Sequence, residues 1–108
     1  MEIRRYLTGS GKDVIGEWLT DLGDARARAK IAAWLTRLEA GNFGDCKPVG
    51  EGVWELRIDW GPGYRVYYAR AGAAIVLLLC GGDKRKQSAD ITRAIEYLKD
   101  YKRRSIKP

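Results

Sequence analysis

The sequence predicts a single α+β domain over residues 1–108. Its sheet is small and antiparallel-rich, its elements run in the order β-α-α-β-β-β-α, and a helical hairpin packs on one face. Three observations lead there. Residues 54–68 read as two alternating runs around Gly61-Pro62-Gly63, the pattern of a β-hairpin. Residues 73–80 are apolar at every position, as in a central strand covered on both sides. Two stretches before Gly41 repeat apolar residues at helical spacing.

Taken in order, residues 2–7 form a first strand, and Gly9 and Gly11 break the chain after it. Val14, Ile15, Trp18, Leu19 and Leu22 share one helical face, with Asp13 as N-cap or first-turn acid. Gly23 ends this helix and Asp24 caps the next. Ala27, Ile31, Trp34, Leu35 and Leu38 carry the second apolar stripe up to Gly41. Residues 41–52 contain four glycines and Pro48 and read as a loop, where Lys47 faces either a ligand or solvent. After the hairpin and the apolar strand, Gly81-Gly82 closes the sheet. A last helix starts near Gln87 and turns Ile91, Ala94, Ile95 and Leu98 inward. Residues 103–108 form a basic tail expected to fray.

Within the hairpin, side chains alternate between faces. A three-residue turn would pair Trp60 with Tyr64, Ile58 with Val66 and Leu56 with Tyr68, all on an apolar face. The same register sets Asp59 beside Arg65 and Arg57 beside Tyr67 on the other. That second face displays two guanidinium groups and suits a phosphate ligand, which arginine binds through bidentate, charge-assisted bonds. The plainer alternative pairs Arg65 with Asp59, and Arg57 with Glu55 or Asp90.

Charge points the same way. The net charge is +6, and residues 83–108 carry nine Lys/Arg against four Asp/Glu, so an anionic partner is expected. A solvated basic helix is the alternative. The absence of histidine removes the usual zinc site and the serine triad. No metal or cofactor is expected. Asp13 and Glu17, four apart, read as a solvated face. Cys46 and Cys80 lie far apart and read as free thiols in a reducing compartment. The N-terminus lacks the apolar run of a signal peptide, and the longest apolar stretch is too short for a membrane span. A cytoplasmic protein without membrane contact is therefore expected.

The order of elements resembles the RelE/ParE superfamily of bacterial toxins: a strand, a helical hairpin, Glu55-Leu56-Arg57-Ile58, Gly63-Tyr64-Arg65-Val66-Tyr67-Tyr68, and an apolar strand ending in Gly81-Gly82-Asp83-Lys84. Gly41-Asn42-Phe43-Gly44-Asp45 and Cys80-Gly81-Gly82-Asp83-Lys84 resemble its HigB-like "addiction module killer protein" branch. The resemblance runs over nearly the whole chain. It implies a RelE-like fold and the toxin of a type II toxin–antitoxin pair. Many such toxins are ribosome-dependent mRNA endoribonucleases (mRNA interferases), which block translation by driving a 2′-hydroxyl onto its adjacent phosphate. The implied partners are a cognate protein antitoxin, often with a helix-turn-helix, and the mRNA on the ribosome. Two alternatives come with it: a toxin that inhibits DNA gyrase without cutting RNA, and a catalytically inactive relative that only binds antitoxin.

Carried over residue by residue, the resemblance assigns Arg65 to the scissile phosphate. Arg57 falls near a strand lysine used for backbone contact or proton transfer. Lys84 aligns with a basic residue that stabilises the transition state, and Lys86 lies one step on. Where relatives place a tyrosine or histidine at the start of the last helix, this chain reads Ser88-Ala89-Asp90. The expected catalytic set is thus Arg57, Arg65 and Lys84. Lys84, crowded by Arg85, Lys86 and the arginines, is a candidate proton carrier. Substrate contacts are expected from Lys47, Lys86, Tyr67 as a base-stacking ring, and Asp90, which is also a second candidate base. Tyr64, Tyr68, Trp18 and Trp34 are expected in the core.

Overall fold

The computed structural model describes residues 1–105. The elements are β1 (Glu2–Arg5), α1 (Val14–Asp21), α2 (Ala25–Glu39), β2 (Cys46–Gly50), β3 (Val53–Ile58), β4 (Tyr64–Arg70), β5 (Ile75–Asp83), a 3₁₀ turn (Lys84–Lys86) and α3 (Gln87–Ser105). Five strands form one sheet in the order β1-β5-β4-β3-β2. β1 runs parallel to β5, and the other neighbours are antiparallel. The α+β class, the antiparallel-rich sheet and the helical hairpin are as expected from the sequence.

Local chemistry starts the helices where the sequence placed them. The Asp13 carboxylate accepts from the Gly16 N–H at 3.1 Å, and the Asp24 carboxylate accepts from the Arg26 N–H at 2.9 Å. Each satisfies a backbone donor that the first helical turn leaves unpaired.

Two apolar layers hold the sheet. On one face Ile15, Ala27, Ile31 and Leu38 of the helical hairpin meet Leu56, Ile58, Val66, Tyr68, Val76 and Leu78. Tyr64 and Tyr68 are buried there, and Trp18 and Trp34 pack against this layer, in line with the core assignments. On the other face Ala94 and Leu98 of α3 cover Val53, Tyr67, Ala69, Leu77 and Leu79. Helices therefore lie on both faces, which is why β5 can be apolar throughout.

Four details differ from the sequence reading. The first strand is shorter, ending at Arg5. Residues 41–52 contain a strand, β2, on the sheet edge. An edge position tolerates Pro48 because its missing N–H faces away from the ladder, and the pairing slips between Pro48 and Gly50. The hairpin register is offset by two residues: Ile58 pairs with Tyr64, Leu56 with Val66, and Trp54 with Tyr68. Finally, α3 continues through Ser105, so residues 103–105 of the expected tail are helical; residues 106–108 lie outside the described residues.

Candidate functional site

The two-residue offset puts Arg57 directly opposite Arg65, and Glu55 opposite Tyr67. The expected neighbours, Asp59 beside Arg65 and Arg57 beside Tyr67, are replaced. The longer loop causes it: Trp60 N–H donates to Ile58 O and Gly63 N–H to Trp60 O, so residues 59–63 all belong to the turn. Gly61 and Gly63 hold φ of 58° and 82° there, a region that disfavours any Cβ. An offset of two leaves each side chain on its predicted face, so Arg57 and Arg65 remain together.

A hollow of about 380 Å³ opens above this pair, lined by Asp45, Arg57, Asp59, Arg65 and Lys84 with the hairpin tip 61–63. Lys84 reaches it because its N–H donates to Gly63 O at 2.9 Å, fastening the end of β5 to the tip. The expected catalytic residues Arg57, Arg65 and Lys84 are thus side by side. The lining also holds two carboxylates, so the hollow is polarised rather than uniformly basic.

Beneath the arginines sits Glu55, with no exposed surface. It accepts from Arg57 Nε at 3.1 Å, Tyr67 OH at 3.1 Å and Gln87 Nε2 at 2.7 Å. Arg65 Nε lies 3.7 Å from the same carboxylate. Burial alone would raise the Glu55 pKa. The donors Arg57, Gln87 and Tyr67 and the Arg65 charge outweigh it and hold the carboxyl below its ordinary value. The buried carboxylate holds the Arg57 guanidinium by a hydrogen bond and faces the Arg65 charge, whose Nε is itself buried without a hydrogen-bond partner among the described residues.

Arg65 is further held by Nη1, which donates to Gly63 O at 3.2 Å and Tyr64 O at 3.3 Å. Among the described residues its Nη2, and both Nη atoms of Arg57, have no hydrogen-bond partner. None of these is among the buried polar atoms that lack one. The Arg57 side chain is 35% exposed and that of Arg65 11%. These Nη groups are the donors left for an anion in the hollow.

The remaining expected contacts do not join this cluster. Tyr67 is fully buried under α3, so its ring offers no face to a base. Burial first, and then the neighbouring Glu55 charge, push its phenol far above the ordinary value, which keeps it a donor to Glu55. Asp90 is 4% exposed, bonds to Arg93 Nη2 at 2.7 Å, and lines a separate hollow with Trp18 and Lys86. Among the described residues its Oδ2 is sealed with no partner, pressed on Gly82, where a Cβ would come within 1.9 Å of it. Lys47 is exposed and pairs in register with Glu55 on the edge strand, outside the hollow. Of the plainer pairings, Arg57–Glu55 is present, at 3.1 Å.

Sequence reasoning offered Glu55 only as a partner for Arg57, not as the acceptor shared with Tyr67 and Gln87, and it missed Gln87 altogether. Alternation already set Glu55 two residues from Arg57 on one face, which was a usable signal. Gln87 carried none, because only the packing of α3 brings it to Glu55.

The sequence pattern of the phage-derived protein Gp49-like family (DUF891) matches residues 17–103. The chain belongs to the Gp49-like family. This is a RelE/ParE-like toxin family of addiction module killer proteins, in keeping with the superfamily resemblance and with the α+β fold. A Haemophilus influenzae relative, described as an uncharacterized protein, is 54% identical over 77 residues, covering 71% of this chain and 78% of its own. The Gp49-like match spans every element that builds the hollow, β2 through the 3₁₀ turn. Among the described residues no helix is long and apolar enough to cross a membrane.

Proposed function

We propose that this Gp49-like protein is the toxin of a type II toxin–antitoxin pair of the HigB-like kind, acting on mRNA in the ribosome as a metal-independent endoribonuclease. The observation that supports it is the Arg57–Arg65 pair, set above the buried Glu55 carboxylate, with Arg65 Nη2 and both Arg57 Nη atoms left without a partner among the described residues beside a hollow that also holds Lys84. The two guanidinium groups clamp the non-bridging oxygens of the scissile phosphate. The 2′-hydroxyl attacks phosphorus, the bond to the 5′-oxygen breaks, and a cyclic phosphate and a 5′-hydroxyl result. Prepositioned charge of this kind acts without reorganising at the moment of reaction. One such donor is worth about 3–4 kcal/mol, or roughly 10²–10³ in rate. The cognate partner is a protein antitoxin, and the place of action is the cytoplasm.

The test is induction of the protein in bacteria with primer extension on cellular mRNA, beside Arg57→Ala and Arg65→Ala variants shown to be folded. Growth arrest with new mRNA ends, both lost in the variants, is expected. Equal toxicity in folded variants refutes the assignment, and a DNA-damage response without new ends favours gyrase inhibition instead. One observation favours a second reading, an antitoxin-binding relative without nuclease activity: among the described residues no aromatic ring lines the hollow to stack on a base. That reading gives no new ends and no growth arrest.

A further inference from the structure

An RNA cleavage by a neighbouring hydroxyl needs a proton acceptor, and the histidine-free chain has few groups able to serve. Glu55 is sealed and accepts three hydrogen bonds. Tyr67 is sealed beside it. Asp90 is sealed in another hollow. Asp83 bonds Arg85 Nη2 at 2.9 Å. Among the described residues two carboxylates remain in the hollow itself, Asp45 and Asp59, both exposed.

Their positions are not equivalent. Arg57 N–H donates to Asp45 O at 2.9 Å, which places Asp45 beside the Arg57–Arg65 row on its β2 side. Asp59 follows the end of β3, and Lys84 follows the end of β5. Between those two strands runs β4, preceded by Gly63, whose carbonyl holds the Lys84 N–H. Gly63 has no side chain to fill the gap. A Cβ there would lie 3.4 Å from Arg65 Nη1 and 3.5 Å from Lys84 Cβ. Asp59 and Lys84 are therefore set about two strand spacings apart, roughly 9–10 Å at the backbone. They flank a gap whose floor is arginine.

Resting on the nuclease reading above, we infer that Asp59 is the proton acceptor of the cleavage and Lys84 the proton donor on the opposite side. The Asp59 carboxylate takes the 2′-hydroxyl proton as that oxygen bonds to phosphorus. The Lys84 ammonium gives its proton to the 5′-oxygen as the P–O5′ bond breaks. One proton enters the protein and one leaves, and the charge developing on the phosphoryl oxygens is held by Arg57 and Arg65. The RNA strand must then cross the hairpin tip in one direction, with its ribose toward β3 and its leaving group toward β5.

Single-turnover cleavage of a defined mRNA on purified ribosomes tests this with two substrates, one normal and one with sulfur replacing the bridging 5′-oxygen. A thiolate leaves without a proton donor. Asp59→Asn should lose about 10²–10⁴ of the rate on both substrates while ribosome binding changes less than about threefold. Asp59→Glu should recover part of it. Lys84→Ala should be slow on the normal mRNA and regain most of its rate on the thio-substrate. Cleavage by Asp59→Asn within threefold of the wild-type rate overturns the inference and leaves the nuclease reading standing. So does a loss that appears in Asp45→Asn instead. No cleavage by the wild-type protein on either substrate ends the inference and the nuclease reading together.

Discussion

Removing Glu55 is the sharpest probe of how the site is held. Glu55→Ala leaves Arg65, 11% exposed, without its counter-charge, and leaves Gln87 and the buried Tyr67 hydroxyl without their acceptor. Deleting one member of a buried ion pair costs about 3–5 kcal/mol, because the other charge stays desolvated. The Arg57 contact adds little to this, since water screens a guanidinium that is 35% exposed. At about 4 °C per kcal/mol for a domain of this size, the melting temperature should fall by roughly 12–20 °C. Glu55→Gln keeps the shape and one acceptor, and should lose about 2 kcal/mol. Circular-dichroism melts measure both.

The pH dependence has a definite sign. The Glu55 carboxyl titrates below its ordinary value in the folded protein, so its contribution is complete above the unfolded value of about 4.3. It is lost as pH falls through the lower folded value. The stability gap between wild type and Glu55→Gln should therefore be constant near neutrality and close in acid. A melting temperature for Glu55→Ala within 4 °C of wild type, or a gap that widens on acidification, refutes the argument that Glu55 is the electrostatic anchor.

Other perturbations follow from close approaches, caps and burial. Gly81→Ala would set a Cβ 2.2 Å from the Trp18 ring, and Gly82→Ala one 1.9 Å from Asp90 Oδ2. Each should destabilise by about 1–3 kcal/mol in urea titration, and an unchanged midpoint would count against the packing. Asp13→Ala removes the α1 cap and the 2.9 Å contact to Arg5. A loss of about 1 kcal/mol is expected from the cap, read as a drop of roughly 4 °C in the melt. Burial pushes the Cys80 thiol up to about 12, so it should resist alkylation at pH 8 until the protein unfolds. Cys46, only partly buried, should be labelled first, and mass spectrometry of the native protein after brief alkylation decides the order.

Period-two alternation put Arg57 and Arg65 on one face and Leu56, Ile58, Tyr64 and Val66 on the other, whatever the pairing. Asp13 and Asp24 marked helix starts because a cap is a local bond between a side chain and the next turn. These readings needed no distant partner. Which arginine faces which residue did need one: the length of the turn sets the register, and an error of two residues is invisible to alternation. Strand β2 was hidden because a short, glycine- and proline-bearing segment gains its order from β3 rather than from its own pattern. The tertiary structure alone decided that α3 lies over the arginine face. That packing sealed Tyr67, made Glu55 a buried anchor, brought Gln87 to it and carried Asp90 to another hollow. Covering a sheet face with a helix thirty residues away is a long-range apolar event, and short-range periodicity carries no record of it.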